Sequence, residues 1–238
     1  MRFATTLACI CMLAACSSGK PGVTPESPGA AVANAAFPGA LPASFSGSLP
    51  CADCPGTRHV VELHPNNVFV YRITYLGRDA SYDDIGRWEI SPDGRRLTLH
   101  GGREAPVAFT VKDAATIRKL DVDGREIESD LNYSLARAAV LEPIEPQLFM
   151  RGMYSYMADA GMFVECITGL RLPVAMEADN VALERAYSAA RTSPGEPVLV
   201  SLEGRIAMRP RMEGAGQEQA LVPLHVIRAW PGRNCARP

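Results

Sequence analysis

Between Phe45 and Arg137 the apolar residues recur at every second position, in short runs broken by turn-forming residues. Val61 and Leu63 share one face. Phe69, Tyr71, Ile73 and Tyr75 alternate with Val70, Arg72 and Thr74. Trp88 and Ile90 precede Ser91-Pro92-Asp93-Gly94, a strong turn signal. Leu97 and Leu99, then Val107, Phe109 and Val111, repeat the pattern, and Ile117 leads into a second turn at Asp121-Val122-Asp123-Gly124. Leu131, Tyr133 and Leu135 close the series. A period of two buries one face of a strand and solvates the other. Seven or eight such strands with tight turns must close on themselves or stack to hide their edges, so a small up-and-down antiparallel barrel is expected over residues 44–138.

A segment carrying Pro143 and Pro146 (139–147) reads as a linker, and a second pattern begins after it. Strands are expected at 148–158, 161–167 and 170–175. A helix follows over 180–191, capped by Asp179 and carrying Leu183, Ala186, Tyr187 and Ala190 on one face. Val198, Val200, Leu202, Ile206 and Met208 mark a long half-buried strand, and 221–230 a last one. Three strands, a helix and two strands is the element order of an OB-type five-stranded barrel, expected over 148–238. The fold class is therefore mainly β, in two domains.

The N-terminus sets the compartment. Arg2 precedes a short apolar run, Phe3 to Ala15, too short to span a bilayer as a helix. It ends Leu13-Ala14-Ala15-Cys16, the form of a bacterial lipoprotein cleavage site, so residues 1–15 read as a signal peptide and Cys16 as the lipidated residue. Ser17 at the next position, rather than Asp, implies sorting to the outer membrane, with the chain facing the periplasm. Residues 16–43, rich in Gly, Pro, Ala and Ser, read as lipidated Cys plus flexible tether. Cleavage removes Arg2 and no acid, leaving 23 basic against 26 acidic residues and a net charge of −3. No basic surface argues for nucleic acid as a partner.

In an oxidising periplasm disulfides persist. Cys9 and Cys11 fall in the signal and Cys16 carries lipid, so four cysteines remain: Cys51, Cys54, Cys166 and Cys235. Four allow three connectivities, and the placement of the two clusters in different domains favours 51–54 with 166–235. The Cys51–Cys54 pair is open to three readings: a clip shaping the barrel entrance, a redox-responsive switch, or a soft Cu(I) thiolate pair when reduced. A thioredoxin setting is disfavoured, because Pro55-Gly56 and a strand follow where a helix N-terminus is needed. His59 could add a third soft-metal ligand, but His59 and His64, five residues apart, point to opposite faces of one strand. Met150, Met153, Met157 and Met162 read as packing residues rather than thioether ligands. No Ser/His/Asp set, paired-carboxylate motif or phosphate loop suggests catalysis.

Several segments then resemble one family. GSLPCADCPG (47–56), YLGRD (75–79), GRW (86–88), LDVDG (120–124) and SDLNY (129–133) occur in an order similar to the N-terminal domain of NlpE-like envelope lipoproteins, and the second half is similar to their C-terminal OB-type domain with its single cysteine pair. The resemblance implies a lipocalin-like first barrel and no enzymatic activity. It implies an envelope-stress, surface-sensing or copper-stress role exerted through protein contacts, with the periplasmic domain of an inner-membrane sensor kinase as partner. No cofactor is required, and copper is an optional ligand. Two competing expectations are a Cu(I)-binding copper-resistance protein using the Cys51 and Cys54 thiols, and a carrier holding a small apolar ligand inside the first barrel.

Overall fold

The structure, a computed structural model, describes residues 37–102, 105–141 and 143–236. The signal peptide, Cys16 and the tether up to residue 36 lie outside the described residues. All described residues fall within one compact unit.

Eight strands form the first domain: β1 (Ala43–Leu49), β2 (Thr57–Leu63), β3 (Val68–Tyr75), β4 (Ala80–Ile90), β5 (Arg96–Gly101), β6 (Val107–Val111), β7 (Thr116–Lys119) and β8 (Ser134–Arg137). Each pairs with its chain neighbour, and β8 returns to β1 through Phe45↔Arg137 and Ser46↔Ala136, closing the barrel. Both expected turns form. Gly94 takes φ +72° and donates to Ser91 O at 2.8 Å; Gly124 takes φ +75° and donates to Asp121 O at 3.1 Å. Leu131 departs from its expected strand and stands exposed ahead of β8.

The alternate residues fill the barrel. Phe45, Leu63, Phe69, Leu97, Phe109, Ile117 and Leu135 are all fully buried in one cluster. Eight strands leave an interior just wide enough for such side chains. Gly86 is required inside β4, since a Cβ there would meet His100 O at 2.0 Å. The cluster also contains Phe37, which lies within the segment read as tether. Its ring meets those of Phe45 and Trp88 edge-on, with centroids 5.6 and 6.5 Å apart. The barrel packing therefore begins before its first strand: a strap over 37–42 places Phe37 in the core and Leu41 against it.

The second domain contains β9 (Gln147–Met157), β10 (Ala160–Glu165), β11 (Arg171–Pro173), α1 (Asn180–Ala190), β12 (Val198–Pro210) and β13 (Gln217–Trp230). The sheet order is β11-β10-β9-β12-β13. A parallel bridge, Val174↔Leu221, with Ala175 N donating to Leu221 O at 2.8 Å, joins the two ends as an OB-type barrel requires. Leu183 and Tyr187 of α1 are buried beneath it, and Tyr187 stacks edge-on against Tyr154 of β9 at 5.4 Å. Asp179 occupies the expected N-cap position but makes no side-chain cap; its carboxylate accepts from Val226 N at 3.0 Å and so ties the helix start to β13.

The alternation in β3 is incomplete for a tertiary reason. Val68 and Val70 point away from the barrel interior, yet both are buried, and Val68 and Ile85 belong to the second domain's core cluster. The outer face of β3–β4 is covered by the second domain.

Candidate functional site

The chain offers two cysteine sites, one at the mouth of the barrel and one in the second domain. The first lies in the β1–β2 connection, where Pro50 and Pro55-Gly56 bracket the cysteines. Cys51 and Cys54 are joined, with Cα atoms 5.3 Å apart. Gly56 takes φ +149°, open to glycine, and its carbonyl accepts from Leu76 N at 3.0 Å, so the loop is stitched to the β3–β4 hairpin. Asp53, between the cysteines, completes that contact. Arg78 Nη2 donates to Asp53 Oδ2 at 2.9 Å and to Asp53 O at 3.0 Å, and the guanidinium also lies over the Tyr75 ring. The hydrogen bond from Arg78 holds the Asp53 carboxyl below the usual carboxylate range.

Cys51, Asp53 and Cys54 are close enough to share one ion, their ligand atoms lying within 4.8 Å of one another. Asp53 was not singled out from the sequence, although its position inside CADC was the available signal. With the sulfurs bonded to each other, metal binding would begin with reduction. The thiolates are soft ligands and the carboxylate a hard one, already engaged by Arg78.

His59, read from the sequence as at most an additional soft-metal ligand, does not join this group. It points into the barrel, 5 % exposed, and both ring nitrogens are engaged: Nδ1 with Tyr71 Oη, and Nε2 with Thr57 Oγ1 at 2.9 Å. Burial, and then the charge of Lys119, lower its pKa to about 4, so the ring is neutral near pH 7. This polar trio caps the apolar interior beneath the cysteine loop. The sequence signal for it is the inward parity that Thr57 and His59 share with Val61.

The second pair links Cys166, just after β10, to Cys235 beyond β13, with Cα atoms 5.2 Å apart across 69 residues. The β10–β11 loop that carries Cys166 is built around buried Glu165. Its Oε2 accepts from Ile167 N at 3.0 Å, Thr168 N at 2.7 Å and Thr168 Oγ1 at 2.6 Å. Trp230, near the chain end, lies between the guanidinium groups of Arg151 and Arg228, at 5.2 and 5.4 Å. Both pairs thus shape loops: one over the barrel mouth, the other at the end of the second sheet.

Residues 45–130 match the model of the NlpE N-terminal domain, and residues 144–236 that of the NlpE C-terminal OB domain. The chain is 35% identical over 199 residues to Lipoprotein NlpE of Escherichia coli (strain K12), covering 82% of this chain and 81% of that one. The crystal structure of the Cpx pathway activator NlpE from Escherichia coli is similar at 32% identity and a TM-score of 0.37, over 82% of this chain and 99% of that one. With both domain models matched in order and more than a third of aligned residues identical over four-fifths of its length, this chain belongs to the NlpE family.

Proposed function

We propose that this protein is an envelope-stress sensor, anchored to the outer membrane through acylated Cys16, that signals by contact with the periplasmic domain of an inner-membrane sensor kinase. The observation that carries the reading is the identity with Escherichia coli NlpE through both domains, that relative being described as a Cpx pathway activator. The filled first barrel favours contact over transport, since the space a carried ligand needs is taken by Phe45, Phe69, Phe109 and their neighbours.

Location is then the input. Several acyl chains on Cys16 hold the protein stably, whereas one chain binds only marginally. From Cys16 to Phe37 the chain has 21 peptide steps, a contour of at most about 75 Å. A correctly sorted protein keeps its barrels near the outer membrane; one retained at the inner membrane brings them within that distance of the kinase. Replacing Ser17→Asp, which favours inner-membrane retention, should raise the output of a Cpx reporter in Escherichia coli lacking its own NlpE. An unchanged reporter, with fractionation confirming the new location, would refute the proposal.

A further inference from the structure

The contact between the barrel and the second domain is built on charge. On the outer face of β2, β3 and β4, Glu62, Arg72 and Asp83 come together, and Glu62 and Asp83 are 1 % and 6 % exposed. Arg72 grips Asp83 with two hydrogen bonds of 2.7 Å. The same groups also reach the connecting segment, while Glu62 Oε2 lies 3.7 Å from His64 Nε2. Gln147 N donates to Asp83 Oδ2 at 2.8 Å, Ile144 N donates to Glu62 Oε1 at 2.9 Å, and Arg72 Nη2 donates to Glu145 O at 2.9 Å. The segment's other edge is held by β12: Ile206 N donates to Pro146 O at 3.0 Å and Met208 N to Glu145 Oε1 at 3.2 Å. Residues 144–147 are therefore pinned between the two domains by the carboxylates of one and the amides of the other.

The apolar part of this contact is Val68 and Ile85, which join the second domain's core cluster, and a cleft of about 230 Å³ lined by these residues, Val70, Leu170 and Ile206 lies beside it. A second cleft of about 460 Å³ opens on the other side, between Asp84 and Ile85 and the loop of Cys166. The seam therefore joins this apolar contact to the buried carboxylates of Glu62 and Asp83, with a cleft beside each. Buried charge pairs add little net stability over apolar packing, yet losing one partner strands the other in a dry site. Such a contact is favourable when complete and collapses when one bond is lost, because water must then enter.

We propose that Glu62, Arg72 and Asp83, with the amides of Ile144 and Gln147, form a latch that holds the second domain over the β3–β4 face, and that its release uncovers Val68, Val70 and Ile85 as a contact surface. On the signalling reading above, on which this last step rests, the released form is the one that engages the kinase.

The test uses the soluble mature chain and two variants that attack the latch from opposite sides. Gln147→Pro deletes the amide donor facing Asp83, together with the side-chain bond to Glu203, at the first residue of a strand, where proline is tolerated. Asp83→Asn leaves one carbonyl oxygen to serve both Arg72 and Gln147. Gln147→Ala, which keeps the amide but loses the exposed side-chain bond to Glu203, and Glu89→Gln, at an exposed site on β4, are controls. Hydrogen exchange at the Ile144, Ile206 and Met208 amides should accelerate at least about tenfold in both latch variants and in neither control, with Leu63 and Phe109 still protected. Unchanged exchange, or equal acceleration at Leu63 and Phe109, would overturn the latch. In cells, latch variants that exchange faster yet leave the reporter unchanged, in a strain where Ser17→Asp raises it, would overturn the regulatory step alone. If Ser17→Asp is silent as well, the signalling reading fails, and exchange still decides the latch.

Discussion

Phe37 is the sharpest point at which the folded protein departs from its composition, and its truncation measures that departure. The side chain is 5 % exposed within the barrel cluster. Phe→Ala in a core costs about 3–5 kcal/mol, including the two edge-on ring contacts, which are worth roughly 0.5–1.5 kcal/mol each. Phe37 sits on a strap rather than a strand, however. When its anchor is lost the strap can leave, and each freed residue regains about 1–2 kcal/mol of conformational entropy. Leu41, packed against the same cluster, and the hydrogen bond from Arg137 to Ala40 O then retain it. The expected loss is therefore about 2–4 kcal/mol, below the full core value. The assay is urea unfolding of the soluble mature chain with Trp230→Phe, which leaves Trp88, 6 % exposed beside Phe37, as the sole reporter. A loss below about 0.5 kcal/mol, the level of an ordinary surface substitution, would refute the reasoning and return residues 37–42 to the tether.

Two further outcomes are expected. Replacing Cys166 and Cys235 with Ser should cost about 4 kcal/mol, against about 2 kcal/mol for the Cys51–Cys54 pair, because the denatured loop released is far longer; Trp230 and Trp88 fluorescence respectively report the two domains, and a reversed order would contradict the chain-entropy argument. Stability should also fall on acidification through His59. Its folded pKa of about 4 lies below the ordinary 6.5, so the unfolded chain takes up the proton first; the contribution is complete above pH 6.5 and is lost as pH falls to 4, by at most about 3 kcal/mol. Chemical denaturation of His59→Gln across that range should show a flatter pH profile, and an identical profile would remove His59 as the cause.

The sequence by itself determined the local architecture. The barrel strands follow from strict alternation, since only a half-buried strand needs a period of two, and the turns at Gly94 and Gly124 follow from residues that tolerate positive φ. The helix over Asn180–Ala190 was legible because Leu183 and Tyr187 recur at helical spacing. The pairing of Cys51 with Cys54 was favoured because Cys166 and Cys235 fall in the other domain, and the structure joins both pairs. What only the tertiary structure decided concerns surfaces covered by distant parts of the chain. Composition marks Phe37 as tether, but burial is set by the open end of a barrel that the surrounding sequence does not mention. Val68, Val70 and Ile85 break the alternation because a second domain lies over them, and Glu62 and Asp83, on the outer strand faces, are met by Ile144 and Gln147 from 82 and 64 residues away. Periodicity reports what each strand does with its own two faces; it carries no record of which outer face a later domain will close upon.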